Sequence, residues 1–341
     1  MENILEVQNL AFSFNTYAGE VQAVRGVSFV LKEGETLGLV GESGCGKSVT
    51  ARSIVRLNPP YPTGEVKSGS IFFNGQDVNK VSVKEMEQIR AKDIRMIFQD
   101  PMTCLNPTMR IGHQIAEGIL KASKNMSKRD ARKRTIEMLD LVGIPSPKDR
   151  YKQYPHEFSG GMRQRVMIAL AIAVNPKLLI ADEPTTALDV TTQAQILSLI
   201  KKMQIEFKTA IIMITHDLGV VATSADKIAI MYAGKITEAG PVDEIFERPA
   251  HPYTWGLLKS IPRLDSDVKQ ELTPIPGTPP DLFNPPKGCP FAARCPYAMK
   301  ICRMHDPETT TVSEEHIANC WLHHEMADNF RNPITGKMVK A

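Results

Sequence analysis

Eight consecutive residues, Gly41, Glu42, Ser43, Gly44, Cys45, Gly46, Lys47 and Ser48, carry the most legible chemistry in this chain. Their spacing is G-x-x-x-x-G-K-S, placed after the apolar stretch Thr36 to Val40 and before a helix-like run toward Leu57. A polyphosphate needs that context, because glycines let successive main-chain N–H groups face an anion and the helix N-terminus adds its dipole. Lys47 then places a point charge on the terminal phosphates, and the Ser48 hydroxyl is the expected Mg²⁺ ligand. With Val49 the loop forms the expected nucleotide-binding segment, in which Cys45 reads as a small filler. A glycine-containing strand–helix turn can match this pattern by chance, so the reading depends on partners elsewhere.

Three such partners end apolar strands. KLLIADEPTTALD closes the strand Leu178 to Ala181 with Asp182 and Glu183. Asp182 suits a carboxylate that holds Mg²⁺ through water, and Glu183 suits one that polarises an attacking water. Paired acids also serve as helix caps. Chemistry is favoured here because His216 ends the next apolar strand, where it can sense a terminal phosphate, and Gln99 in MIFQDP ends another. The Gln99 amide can reach both Mg²⁺ and the water.

These residues require a mixed α/β scaffold. Strands are expected at Ile4 to Leu10, Val21 to Leu31, Thr36 to Val40, Gly69 to Asn74, Ile94 to Phe98, Leu178 to Ala181, Ala210 to Thr215 and Lys227 to Tyr232. Between about residues 100 and 175 the period changes to that of helices, which predicts a helical insertion. The seven prolines from Pro262 to Pro286 predict a linker, and a cysteine-bearing segment follows it. The domains expected are therefore 1–262, a linker over 263–288 and a C-terminal segment over 289–341.

Composition narrows the class. The 341 residues are 42% hydrophobic and 23% charged, enough for one large domain and an appendage. Lys+Arg 41 against Asp+Glu 38 leave +3, which argues against the basic face of a nucleic-acid binder. The apolar stretch Val166 to Val174 is about half of the roughly 20 residues a membrane span needs. MENILEVQNL lacks the features of a signal peptide, so a cytoplasmic location is expected.

HEFSGGMRQRVMIALAIA then selects among the NTPases. Ser159, Gly160 and Gly161 make a small-residue turn at the start of a long helix, a second anion site on the chain. The segment resembles the signature sequence of ABC ATPases, with Phe158 for the usual Leu and Met162 for the usual Gln. The resemblance covers residues 4 to about 240 in the family's motif order. It implies a P-loop ABC ATPase domain with an antiparallel β subdomain and an inserted helical subdomain, working as a head-to-tail pair around ATP. It assigns Gln99 to the Q-loop, Asp189 to the D-loop and His216 to the switch position, with the Ser159 to Met162 signature acting in trans. An aromatic near the first strand is expected to stack on adenine, Phe14 first and Tyr17 next.

The tail resembles the C-terminal extension of ATPase subunits from oligopeptide, dipeptide and nickel importers, through ERPAHPYTWGLLKSIPRL and GCPFAARCPYAMKIC. That implies peptide import at the cytoplasmic face of the membrane, with nickel import or a soluble, non-transport ABC ATPase as alternatives. The implied partners are a second, non-identical ATPase, two transmembrane permease subunits and an extracytoplasmic peptide-binding protein. Cys289, Cys295, Cys302 and Cys320 are spaced C-x5-C-x6-C-x17-C, which matches no common zinc pattern. The resemblance favours a 4Fe–4S cluster on these four thiolates. Zinc, either all-cysteine or shared with His305, His316 or His323, and unligated thiols are the alternatives.

Overall fold

A computed structural model describes residues 2–100, 104–123, 125–185, 189–260 and 274–339. Residues 186–188 of the ADEPTTALD stretch and 261–273, which include the start of the expected linker, lie outside the described residues. The strands are β1 Asn3–Thr16, β2 Gly19–Lys32, β3 Thr36–Val40, β4 Gly64–Phe73, β5 Gln76–Asp77, β6 Ile94–Ile97, β7 Leu178–Asp182, β8 Ala210–Thr215, β9 Lys227–Tyr232, β10 Lys235–Pro241, β11 Thr310–Thr311 and β12 Ile317–Ala318. Two compact units contain them, Met1–Leu5, Val30–Thr36 and Phe72–Ile214 in the first, Glu6–Phe29, Leu37–Ile71 and Thr215–Ala341 in the second.

The first unit is built on β6, β7 and β8, which pair in parallel with β7 in the centre. Their residues form short apolar runs because strands covered on both faces have no solvent side to mark with polar residues. Register pairs Ile97 with Ala181 and Asp182 with Ile214. The segment carrying Gln99 therefore leaves the sheet level with Asp182 and Glu183, at the carboxyl ends where parallel sheets present their ligands. The helices Ile111–Ala122, Lys128–Leu141, Pro147–Arg150 and Gly160–Ile172 occupy the stretch of helical period. Ile115, Ile119, Leu139, Val166 and Ile168 pack into one core with Leu179 and Met213.

In the second unit the order is β11-β12-β10-β9-β3, with β9 parallel to β3 and antiparallel to β10. Ala233 and Gly234 have φ of 47° and 80°, the two positive values that a tight hairpin turn between β9 and β10 requires. Neither β10 nor the short pair β11–β12 was among the expected strands. β10 hides from a periodicity reading because Glu238, polar by type, is fully buried. Its carboxylate accepts hydrogen bonds from the N–H groups of Ala250 (2.6 Å) and His251 (2.9 Å) and from the Thr254 hydroxyl, and pairs with His316 Nε2 at 2.8 Å. Burial holds His251 neutral, pushing it down to about 3. Its Nδ1 is thereby free to accept from the Tyr253 N–H and cap the helix Pro252–Lys259.

The C-terminal cysteines correct the iron–sulfur and metal-binding expectation. Among the described residues no group of three or more His, Cys, Asp or Glu side chains is arranged to hold a metal ion. Cys289 and Cys302 instead join an apolar cluster with Phe291, Tyr232 and Tyr253, and Cys320 packs with Trp255 and Leu322. A metal ligand must be a thiolate, and burial opposes that, pushing Cys289 up to about 12 and Cys295 up to about 11. Spacing suggested ligands; the surroundings are those of core thiols. No helix among the described residues is long and apolar enough to cross a membrane.

Candidate functional site

The second unit holds the phosphate loop. β3, buried along its whole length, delivers Gly41, and the helix Lys47–Ile54 begins within the motif. A side chain at Gly41 would meet the Met231 carbonyl and one at Gly46 would meet the Ala23 carbonyl. Gly46 also has φ 102°, so sterics as well as conformation demand glycine there. Lys47 is 6% exposed, and its ammonium bonds the carbonyls of Gly41 (2.7 Å) and Glu42 (3.0 Å). A buried cation held by neutral carbonyls is suited to receiving an anion. Cys45 is buried and its thiol is pushed up by desolvation, consistent with a filler, while its carbonyl accepts from Gly234 N–H at 2.9 Å. Ser43 and Gly44 are exposed, and Ser48 and Val49 are half-buried on the first helical turn.

Two contacts to this loop escaped the sequence reading. Tyr253 Oη accepts from the Glu42 N–H at 3.0 Å, and Arg294 Nη1 donates to the Glu42 carboxylate at 2.7 Å. They come from positions 211 and 252 residues away, and no local pattern announces them. The second unit also contains His216, exposed just past the end of β8. Of the two aromatics, Phe14 is half-buried and edge-on to Phe12 at 5.1 Å, whereas Tyr17 is fully exposed.

The first unit holds the acidic strand end. Asp182 is 1% exposed at the last position of β7. Glu183 has φ 48°, a left-handed backbone that a non-glycine residue adopts only when its surroundings enforce it. Its N–H donates to the Ile214 carbonyl at 3.0 Å, and its carboxylate accepts from Gln99 Nε2 at 2.9 Å. The structure thus brings Gln99 and Glu183 together. The Gln164 amide, on the helix Gly160–Ile172, donates to the Pro184 carbonyl and ties that helix to the same turn.

Ser159 caps the helix, accepting from the Met162 N–H at 3.3 Å, and Gly160 has open space around it. Phe158 is buried in the first unit's core and Met162 packs against it, so both departures from the usual signature serve as apolar anchors. Asp189 caps the helix Val190–Phe207 through the Thr192 N–H (2.9 Å) and hydroxyl (2.8 Å), which hold its carboxyl below the ordinary range.

The donor set fits ATP with Mg²⁺. The glycine cradle and buried Lys47 of the second unit suit phosphates, and within the first unit the buried Asp182 carboxylate is the kind of oxygen donor that a small hard cation takes.

Comparison with known proteins gives concordant matches. Residues 24–186 match the family described as ABC transporter, and residues 237–302 match the oligopeptide/dipeptide transporter C-terminal region. The oligopeptide transport ATP-binding protein of Bacillus subtilis is 60% identical, over 99% of this chain and 94% of that protein. The dipeptide transport ATP-binding protein of the same organism is 59% identical, over 96% and 97%. Among solved structures, an ATP-binding cassette captured as a dimer in a post-hydrolysis state with ADP and phosphate matches with a TM-score of 0.64. It is 27% identical and covers 70% of this chain and 98% of that one.

Proposed function

This chain belongs to the ATP-binding subunits of ABC transporters, in the oligopeptide and dipeptide branch, and from that premise we propose that it hydrolyses ATP to power peptide import. The observation that carries the chemistry is the bond between Gln99 and Glu183 at a strained strand end. In this reading the loop from Gly41 to Val49 binds the phosphates, with Lys47 on the β- and γ-groups. Ser48, Asp182 and Gln99 would hold Mg²⁺, which neutralises charge on the phosphate oxygens. Water oxygen attacks the γ-phosphorus, its proton passes to Glu183, and the bond to the bridging oxygen breaks to release ADP. His216 senses the γ-phosphate, and Asp189 lies at the subunit interface. The Ser159 to Met162 signature of one subunit closes over the ATP held by the other.

The partners proposed are a second, non-identical ATPase subunit, two membrane permeases and an extracytoplasmic peptide-binding protein, with this chain peripheral at the cytoplasmic face. The ATPase domain spans 1–262, and the segment 289–341 follows a linker over 263–288. Peptide stands ahead of nickel because the similar proteins are named for oligopeptide and dipeptide transport. The test is ATP-dependent uptake of a labelled tripeptide by proteoliposomes carrying the full transporter; uptake of Ni²⁺ with no uptake of peptide would reverse the assignment.

Adenine stacking falls to Tyr17, since its ring is exposed while that of Phe14 is half-committed to packing. Tyr17→Ala is expected to weaken ATP binding about tenfold, the usual worth of a base–aromatic stack. Titration with a fluorescent ATP analogue checks this. Unchanged affinity in Tyr17→Ala, with a loss in Phe14→Ala, would move the platform to Phe14.

A further inference from the structure

Arg294 lies in the C-terminal segment, with a side chain only 6% exposed. All three nitrogens of its guanidinium donate hydrogen bonds. Nη1 donates to Glu42 Oε2 at 2.7 Å and to Tyr232 Oη at 3.1 Å, Nε to the Pro276 carbonyl at 2.9 Å, and Nη2 to the Ile275 carbonyl at 3.0 Å. The guanidinium carbon lies 5.7 Å from the Tyr232 ring centroid and 6.0 Å from that of Phe291. The fork is therefore fixed before it meets Glu42. Glu42 is the second residue of the phosphate loop, and its own N–H is held by Tyr253 Oη at 3.0 Å.

Two consequences follow from this arrangement. A loop whose N–H groups must converge on one polyphosphate binds better when its first corner is already placed, because less ordering is charged to binding. Glu42 is also an anion within a loop that receives a more highly charged anion. Left unpaired, its carboxylate would offset much of the attraction that Lys47 supplies. A paired, planar Arg removes that repulsion where a loose surface cation would not.

We infer that Arg294 is a positioning residue for the phosphate loop, neutralising Glu42 and fixing the loop's first corner so that the C-terminal segment sets the affinity for nucleotide phosphates. This rests on the loop being the ATP site. The experiment is titration of the full chain with fluorescent AMP, ADP and ATP analogues, together with steady-state ATPase measurements on the assembled transporter. Arg294→Met is expected to weaken ATP binding about tenfold, as loss of a charge-assisted hydrogen bond commonly does. The penalty should grow from AMP to ADP to ATP and appear in KM, with kcat within about twofold.

Adding Glu42→Gln to Arg294→Met should recover most of the lost affinity, since the uncompensated charge is gone. Arg294→Lys, which retains charge without the fork, should fall between the wild type and Arg294→Met. It also serves if Arg294→Met fails to fold, as judged by circular dichroism. Unchanged ATP affinity in Arg294→Met would overturn the inference. So would an equal loss for all three nucleotides with no recovery in the double variant, which would mark Arg294 as a structural staple. A wild-type chain that binds no ATP would instead refute the reading of the loop.

Discussion

Glu183→Gln is expected to bind ATP with near-normal affinity while hydrolysis falls by about 10² to 10⁴-fold, the usual worth of a positioned general base. The amide has nearly the shape of the carboxylate but cannot take a proton, so binding and chemistry separate. The Gln99 amide donates to Glu183 Oε2, a bond that a glutamine side chain can still accept through its own oxygen. Glu183, with its left-handed backbone, also donates its N–H to the Ile214 carbonyl, a bond that the side-chain change leaves in place. The measurement is single-turnover hydrolysis in the assembled transporter with the corresponding glutamate of the partner ATPase also replaced, because one intact site would mask the loss. Hydrolysis within a factor of a few of wild type would assign the base elsewhere.

The second large effect concerns stability. Glu238→Ala should destabilise the second unit by about 3–5 kcal/mol, since several buried donors lose one shared acceptor and each left unpaired costs about 1–3 kcal/mol. Four partners lose their acceptor together: the N–H groups of Ala250 and His251, the Thr254 hydroxyl and His316. Two of these are main-chain donors that cannot rotate away, so the cost of leaving them unpaired is paid in full. Amide hydrogen exchange provides a direct check, since Ala250 and His251 should lose protection first, ahead of a lowered urea midpoint. An unfolding free energy within about 0.5 kcal/mol of wild type would mean that water replaces the carboxylate and the network is not a clasp.

These two sites differ in whether the sequence discloses them. The phosphate loop and acidic strand end could be read because their chemistry is written in contiguous residues flanked by buried strands. Their apolar runs carry the fold signal and the site together. Glu238 could not be read, because a charged residue inside a strand looks like a solvent face until its partners, up to 78 residues distant, are known. The same blindness hid Tyr253 and Arg294. The cysteine pattern misled for the opposite reason: regular spacing can be seen in sequence, whereas the burial that holds Cys289 and Cys295 as thiols cannot. Between Phe14 and Tyr17 the sequence offers two aromatics and only the fold distinguishes the half-packed ring from the exposed one.

The long reach of the phosphate loop's supports has a consequence in time. Ribosomes add roughly 5 to 20 residues per second. Arg294 lies 252 residues beyond Glu42, so it emerges roughly 13 to 50 s after the loop it holds. Through that interval the nascent chain carries the glycine motif without its outer brace. Nucleotide in the cell is then a weak guide for early folding of this protein, and the loop's full grip on ATP arrives only once Arg294 has been made and has docked.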